Sequence, residues 1–114
     1  MDFDDLMDFI VERDAVYRKW KDGEAGNNER VLARMAKLTE EVGELSEEVL
    51  GSLGYQRQEK LDRRSPEGLK NELADVVITT MLLAKSMDVD MAEALEWTMN
   101  KIRTRSLADG EQSI

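Results

Sequence analysis

The chain has 114 residues and a mass of 13.0 kDa, which fits one domain. Hydrophobic residues make up 41% of it and charged residues 36%, so a packed core is expected and wholesale disorder is excluded. The sequence contains no cysteine and no histidine, and its net charge is −9. These values exclude disulfides and imidazole chemistry, and they disfavour nucleic acid polymers and anionic membranes as partners.

The first half of the chain predicts two long helices. Residues 2–20 place apolar side chains three and four positions apart, and Asp2 is the predicted N-cap. A turn-rich stretch at 21–28 ends this helix. The second helix is predicted to begin with Asn28 as N-cap and to end near Gly54. Its apolar stripe has near-heptad spacing and consists of Val31, Met35, Leu38, Val42, Leu45, Val49 and Leu53.

The second half predicts a loop and two more helices. Residues 55–64 are polar and are predicted to form a loop. Ser65 is the predicted N-cap of the third helix, which runs to about Met87, and Asp90 caps the fourth. Residues 106–114 are predicted to be a flexible tail. The acidic N-terminus and the lack of an apolar run near the roughly 18 residues that span a bilayer predict a cytoplasmic protein.

Four such helices predict an all-α, four-helix bundle that occupies residues 1–114 as a single domain. Residues 76–84 carry no charge, so this part of the third helix is apolar on every side. A helix of that kind is buried all round, which one layer of partner helices cannot achieve. We therefore expect a homo-oligomer, with Ile78 and Met81 among the outward-facing residues at the subunit contact.

Two acidic clusters stand out, one on the second predicted helix and one on the third. Glu41 and Glu44 lie one turn apart, as do Glu72 and Asp75. If the two helices run antiparallel, these carboxylates converge on one spot. Such an oxygen-rich site suits Mg²⁺ or Mn²⁺.

Two plainer interpretations remain open, a solvated acidic face and a cluster neutralised by salt bridges. Basic residues for the second are available: Arg34, Lys37 and Lys70. A metal site is favoured because Glu72 lies inside an apolar stripe and because a buried, unpartnered carboxylate is costly. Gly43 also lies in mid-helix, which costs about 1 kcal/mol relative to alanine. Several local rules broken together often mark a functional site.

The sequence at this point resembles the MazG-like nucleotide pyrophosphohydrolases. Glu40-Glu41-x-x-Glu44 followed by Glu72-x-x-Asp75 is similar to the paired acidic motif of that family, and the likeness covers roughly residues 28–105. It implies an all-α enzyme that hydrolyses nucleoside triphosphates to monophosphate and diphosphate with Mg²⁺ or Mn²⁺, as a homodimer or homotetramer. It also implies roles for individual residues, with Glu41, Glu44, Glu72 and Asp75 as metal ligands and Glu40 as the carboxylate that orients or deprotonates water.

Substrate contacts follow from the same resemblance and from chemistry. The last helix supplies four candidates for phosphate binding: Asn100, Lys101, Arg103 and Arg105. Cations that favour the helix dipole are the alternative interpretation of the basic residues. Trp20 and Tyr17 are the candidates for stacking on a base, with core packing as the alternative.

The sequence therefore predicts a metal-dependent nucleoside triphosphate pyrophosphohydrolase that sanitises the nucleotide pool. Two alternatives stay open. One is a phosphoribosyl-ATP pyrophosphatase-like enzyme, which shares the bundle and the carboxylate arrangement. The other is a non-catalytic helical module whose acidic patch binds a basic partner.

Overall fold

The computed structural model describes residues 1–20 and 26–110, apart from the side chain of Trp20. These residues form helices and contain no strand, which confirms the all-α prediction. The helices are α1 (Phe3–Trp20), α2 (Asn27–Ser52), α3 (Gln58–Asp62), α4 (Gly68–Ser86) and α5 (Met91–Ala108). Most of the predicted turn at 21–28 lies outside the described residues, as do residues 111–114.

Two predicted caps are confirmed by their hydrogen bonds. The Asp5 N–H donates to Asp2 Oδ1 over 2.9 Å, and the Asp2 N–H donates back to Asp5 Oδ2 over 3.0 Å. At α5, the Glu93 N–H donates to Asp90 Oδ1 over 3.1 Å. Each bond satisfies a backbone donor that the first turn of a helix leaves without a helical partner.

The other helix starts differ from the prediction. Helix α2 begins with Gly26 at its N-cap, so Asn28 lies inside the first turn. Helix α4 begins at Gly68, because the Gly68 N–H bonds to the Ser65 carbonyl over 3.2 Å and closes a turn first. At the other end of the chain α5 extends to Ala108, so the predicted tail at 106–114 begins with helical residues.

The segment predicted as a loop at 55–64 contains the short helix α3 and folds back on the end of α2. Helix α2 ends at Ser52, Gly54 follows with a φ of +78° that suits glycine, and the Tyr55 N–H bonds to the Leu50 carbonyl over 2.9 Å. Arg64 then crosses Gly51 and donates to Ser52 Oγ over 2.6 Å. A Cβ at position 51 would lie 2.7 Å from Arg64 Nε, so a larger residue there would require the Arg64 side chain to move.

The core lies where α4 meets α1 and α2. Ile10 of α1 is fully buried and packs with Met81 and Leu82 of α4. The prediction that Met81 faces outward is therefore wrong, and Ile78 also packs against this core. The outward face of α4 instead carries Leu73 and Val77, which are 50% and 51% exposed.

The four-helix bundle is not formed within one chain. Helix α5 is described from end to end and contains no buried residue, although Met91 at its start packs against the core. The radius of gyration is 17.6 Å, against roughly 13 Å for a compact domain of about 100 residues. None of the described helices is long and apolar enough to cross a bilayer.

The apolar stripe of α2 is also only partly covered. The face of α2 that meets α4 carries Arg34 and Glu41, neither of which belongs to the predicted seam. Several seam residues are more than 40% exposed as a result: Met35, Val42, Val49 and Leu53. Apolar surface on α2, α4 and α5 is thus left open, which is unusual for a monomeric protein.

Candidate metal centre

Helices α2 and α4 run antiparallel, as the metal-site prediction requires. Arg34 of α2 bonds to the Leu82 carbonyl of α4, while Glu48, four turns further along α2, lies against Gly68 at the start of α4. A Cβ at position 68 would come within 2.5 Å of the Glu48 carboxylate, so the absence of a side chain at Gly68 leaves room for this carboxylate. Glu41 lies between these two contacts and meets the acidic residues of α4.

Three of the predicted ligands come together. One carboxylate oxygen from each of Glu41, Glu72 and Asp75 lies within 4.8 Å of the other two. Glu41 is buried, Glu72 is half-buried and Asp75 is exposed, so the cluster begins inside the helix contact and opens to solvent. Glu72 was expected to be buried in an apolar stripe, but it is only half-buried, and Glu41 is the buried member. Glu44 is half-buried, and its carboxyl group is among the causes that raise the Glu72 pKa.

The crowding of these carboxylates shifts their pKa values in opposite directions. Burial, together with the neighbouring carboxyl groups of Glu41 and Glu44, raises the pKa of Glu72 to about 7, because each of these favours the protonated form. Burial also raises the pKa of Glu41, but hydrogen bonds from Glu72 and Lys37 outweigh it, so the Glu41 pKa lies below its usual 4.5. Without a cation, the cluster therefore retains a proton on Glu72 at mildly acid pH.

The donor set fits a hard divalent cation. The Oε2 atoms of Glu41 and Glu72 are buried and find no hydrogen-bond partner among the described residues. Buried polar atoms normally have a partner, and oxygen-only sites are those that Mg²⁺ and Mn²⁺ occupy. A cation held by Glu41, Glu72 and Asp75 would satisfy these atoms and offset the repulsion between the carboxylates.

Salt bridges account for part of the cluster, as the plainer interpretation proposed. Lys37 Nζ lies 3.1 Å from Glu41 Oε1 and 3.5 Å from Glu40 Oε1. The hydrogen bond to Glu41 and the charge of Glu40 raise the Lys37 pKa above its usual value. Glu40 itself is 57% exposed and lies outside the group of three. One ammonium group cannot neutralise three carboxylates, so the salt bridge leaves the case for a cation intact.

A cleft of about 240 Å³ adjoins the acidic cluster. Glu41, Asp75 and Lys37 line it on one side, and Tyr17 and Thr79 contribute an aromatic ring and a buried hydroxyl. Tyr17 also packs against the core, and the Arg13 guanidinium lies 5.0 Å from the centre of its ring. The side chain of Trp20, the other predicted base contact, lies outside the described residues.

The predicted phosphate-binding residues are not brought to the acidic cluster. Asn100, Lys101, Arg103 and Arg105 are all exposed on α5, and they line two other clefts. Lys101 lies over the exposed ring of Trp97, with Nζ 4.9 Å from the ring centre. Within one chain, the basic helix and the acidic cluster are therefore separate.

Sequence reasoning missed an ion pair that joins three helices. Arg34 of α2 donates through Nη1 to Asp14 Oδ1 of α1 over 2.7 Å and to the Leu82 carbonyl of α4 over 2.9 Å. Asp14 and Arg34 are 6% and 7% exposed, and Arg18 Nε donates to Asp14 Oδ2 over 2.9 Å. Asp14 lies on the apolar face of α1 with Ile10 and Tyr17. An acidic residue in such a position was the signal from which a buried ion pair could have been predicted.

Comparison with known proteins identifies the protein family. The MazG nucleotide pyrophosphohydrolase domain matches residues 29–107, from the first turn of α2 to the last turn of α5. This is more than half of the chain, which therefore belongs to the MazG nucleotide pyrophosphohydrolase domain family. The match includes all the acidic residues of the cluster and leaves out α1.

One relative is similar over much of this domain. The chain is 38% identical over 74 residues to a protein of Bacillus subtilis (strain 168) described as uncharacterized protein YpjD. The aligned segment is 65% of this chain and 65% of the relative, so the match spans about two thirds of either protein. No solved structure is a significant match to the chain.

Proposed function

We propose that this protein hydrolyses nucleoside triphosphates to monophosphate and diphosphate, and that the acidic cluster is the active centre. The observation that carries the proposal is the convergence of Glu41, Glu72 and Asp75 within 4.8 Å, with two buried oxygens lacking hydrogen-bond partners. Membership of the MazG nucleotide pyrophosphohydrolase domain family supports the reaction class. The proposed role is sanitising of the cytoplasmic nucleotide pool.

Each residue of the cluster has a proposed role. Glu41, Glu72 and Asp75 are proposed to hold Mg²⁺ or Mn²⁺, and the neighbouring half-buried Glu44 is proposed to complete the site. The cation, when bound, neutralises phosphate charge and makes water a better nucleophile at neutral pH. Glu40, exposed one position before Glu41, is proposed to orient the attacking water. The adjoining cleft, with Tyr17 on its wall, is proposed to receive the nucleoside.

Measurement of diphosphate release tests the proposal and separates it from its rivals. The protein is incubated with a panel of dNTPs and NTPs and, separately, with phosphoribosyl-ATP, with Mg²⁺ or Mn²⁺ present. Turnover of nucleoside triphosphates supports the proposal, whereas turnover of phosphoribosyl-ATP alone supports the first alternative. A lack of turnover throughout favours the non-catalytic module. The burial of Glu41 already weighs against that module, because a docking patch needs exposed charges.

Divalent cations are expected to stabilise the fold. A ligand that binds only the native state raises stability by RT ln(1 + [L]/Kd), about 2.7 kcal/mol at a hundredfold excess over Kd. Thermal melts in EDTA and in millimolar Mg²⁺ or Mn²⁺ measure the shift. The melt of an Asp75→Asn variant serves as the control and should shift less. Superimposable wild-type curves with and without the cation would count against the metal site.

The open apolar surface supports the proposal that the protein is a homodimer or homotetramer. Leu73 and Val77 of α4 are half exposed, and α5 has no buried residue although Leu95 and Trp97 are apolar. A second copy would cover such surface, most simply around a two-fold axis. We also propose that α5 of one subunit brings Lys101 and Arg105 to the acidic cluster of another, since a single chain keeps them apart.

Val77→Glu is therefore expected to dissociate the oligomer and reduce activity at the same time. Val77 is 51% exposed within one chain, so a charge there leaves the monomer core intact and disfavours only a subunit contact. Light scattering and nucleotide turnover are measured on the same samples. Glu67→Gln, an exposed change at the start of α4, is the control. A stable wild-type monomer at low micromolar concentration contradicts the oligomer, and a dissociated but fully active variant contradicts the shared site.

A further inference from the structure

One lysine neutralises the most buried carboxylate of the acidic cluster. Lys37 and Glu41 lie one turn apart on α2, and Lys37 Nζ is 3.1 Å from Glu41 Oε1. Their side chains differ in burial, at 47% exposed for Lys37 and 8% for Glu41. The ammonium group thus reaches from the solvent side towards a buried carboxylate.

Glu41 takes part in two arrangements, an ion pair and the group of three carboxylates. It pairs with Lys37, and it also contributes an oxygen to the group of three with Glu72 and Asp75. A divalent cation bound in that group would be attracted by the same Glu41 carboxylate and repelled by the Lys37 ammonium group. The flexible stem and half-exposed head of Lys37 allow it to leave without uncovering the core.

Once it has left Glu41, the ammonium group of Lys37 has other anionic groups within its reach. Lys37 lines the cleft of about 240 Å³ together with Glu41 and Asp75, so a polyphosphate bound at the cluster lies beside it. Glu40, 3.5 Å away, is a second carboxylate to which it can turn in the absence of substrate. A compact ammonium group binds phosphate oxygens well as a point charge.

We propose that Lys37 is an exchangeable counter-cation, which holds Glu41 in the metal-free protein, yields it to a divalent cation, and then pairs with the phosphates of the substrate. This inference rests on the proposed function for its last step. It assigns Lys37 two opposing effects, since the same charge weakens cation binding and strengthens nucleotide binding.

Lys37→Gln separates these effects, because glutamine keeps the helix propensity and removes the charge. Without nucleotide, we expect the variant to bind Mn²⁺ about threefold to fivefold more tightly than wild type, the upper range for a partly exposed ion pair. With nucleotide, we expect KM to rise by a larger factor than kcat falls, as for the loss of a binding contact. Calorimetric titration with Mn²⁺ alone and steady-state kinetics measure the two effects.

Two variants act as controls. Lys60→Gln makes the same charge change on an exposed residue of α3, and Lys37→Arg keeps the charge in place. If the wild type binds Mn²⁺ but Lys37→Gln binds it no more tightly than Lys60→Gln, the inference is overturned and the proposed function stands. Tighter Mn²⁺ binding with an unchanged KM overturns the transfer to phosphate. If the wild type binds no Mn²⁺, the proposed metal centre fails, and the inference fails with it.

Discussion

Glu41→Gln and Asp75→Asn should each reduce nucleotide hydrolysis by at least about a hundredfold, since even partners outside the ligand shell affect metal sites by 10–100-fold. Both substitutions keep the shape of the side chain and remove a charge from a group whose oxygens lie within 4.8 Å of one another. The helix content by circular dichroism should not change. In EDTA, Asp75→Asn should be at least as stable as wild type because a repulsive charge has been removed, whereas Glu41→Gln also loses the ion pair with Lys37.

Glu47→Gln is the matched control for these variants. Glu47 is an exposed glutamate on the same helix, and it lies outside the group of three. It should keep wild-type turnover. Near-wild-type turnover in either cluster variant would remove that residue from the metal site, and loss of activity in Glu47→Gln would show that any charge change on α2 is harmful.

Asp14→Ala should cost about 3–5 kcal/mol of unfolding free energy, the usual effect of breaking a buried ion pair from one side. The variant leaves Arg34, which is 7% exposed, without the carboxylate that it contacts over 2.7 Å. It also removes a polar link between α1 and the α2–α4 pair. Urea unfolding at one fixed protein concentration measures the loss.

The double variant Asp14→Leu, Arg34→Met distinguishes an unpaired charge from lost packing. Replacing both partners with apolar side chains is often neutral or stabilising, so most of the loss should be recovered. If the double variant is as unstable as Asp14→Ala, the ion pair is not the cause. If Asp14→Ala lowers the unfolding free energy by less than about 1 kcal/mol, the pair contributes no more than an exposed salt bridge does.

The ion pair of Asp14 and Arg34 should also affect how the unfolding free energy changes with pH in acid. Burial raises the pKa of Asp14, but the hydrogen bonds and charges of Arg34 and Arg18 outweigh it, so the pKa lies below 3.8. A carboxyl with a depressed pKa contributes stability above its unfolded pKa, and this contribution is lost as the pH falls through the lower, folded value. Asp14→Ala should therefore flatten the loss of stability below about pH 4.

The acidic cluster was predictable because it depends on local spacing and one assumption. Glu41 and Glu44 are three positions apart on one helix, as are Glu72 and Asp75 on another. The antiparallel packing of α2 on α4 then brings the two pairs together. The burial order was not predictable, since it depends on how far each helix is rotated. That rotation also turns Arg34 and Glu41 towards α4, where the heptad seam was expected.

Two of the predictions, the outward face of the third predicted helix and the packing of the last helix, failed because the sequence patterns do not show which way a helix faces. Residues 76–84 are apolar on every side, so their sequence could not show that Met81 faces Ile10 while Val77 faces outward. Helix α5 has a clear N-cap in Asp90, which predicts that a helix forms but not what it packs against. Asp14 was identifiable in the way that Glu72 was, as an acid on an apolar helical face, but its partner Arg34 is on another helix.

Analysis of the products by ³¹P nuclear magnetic resonance tests the central claim most directly. A nucleoside triphosphate is incubated with the wild-type protein and Mg²⁺, and Glu41→Gln is run in parallel. The account predicts that nucleoside monophosphate and diphosphate accumulate in equal amounts with the wild type, and that neither forms with the variant. Nucleoside diphosphate with orthophosphate, or equal turnover by the two proteins, would contradict it.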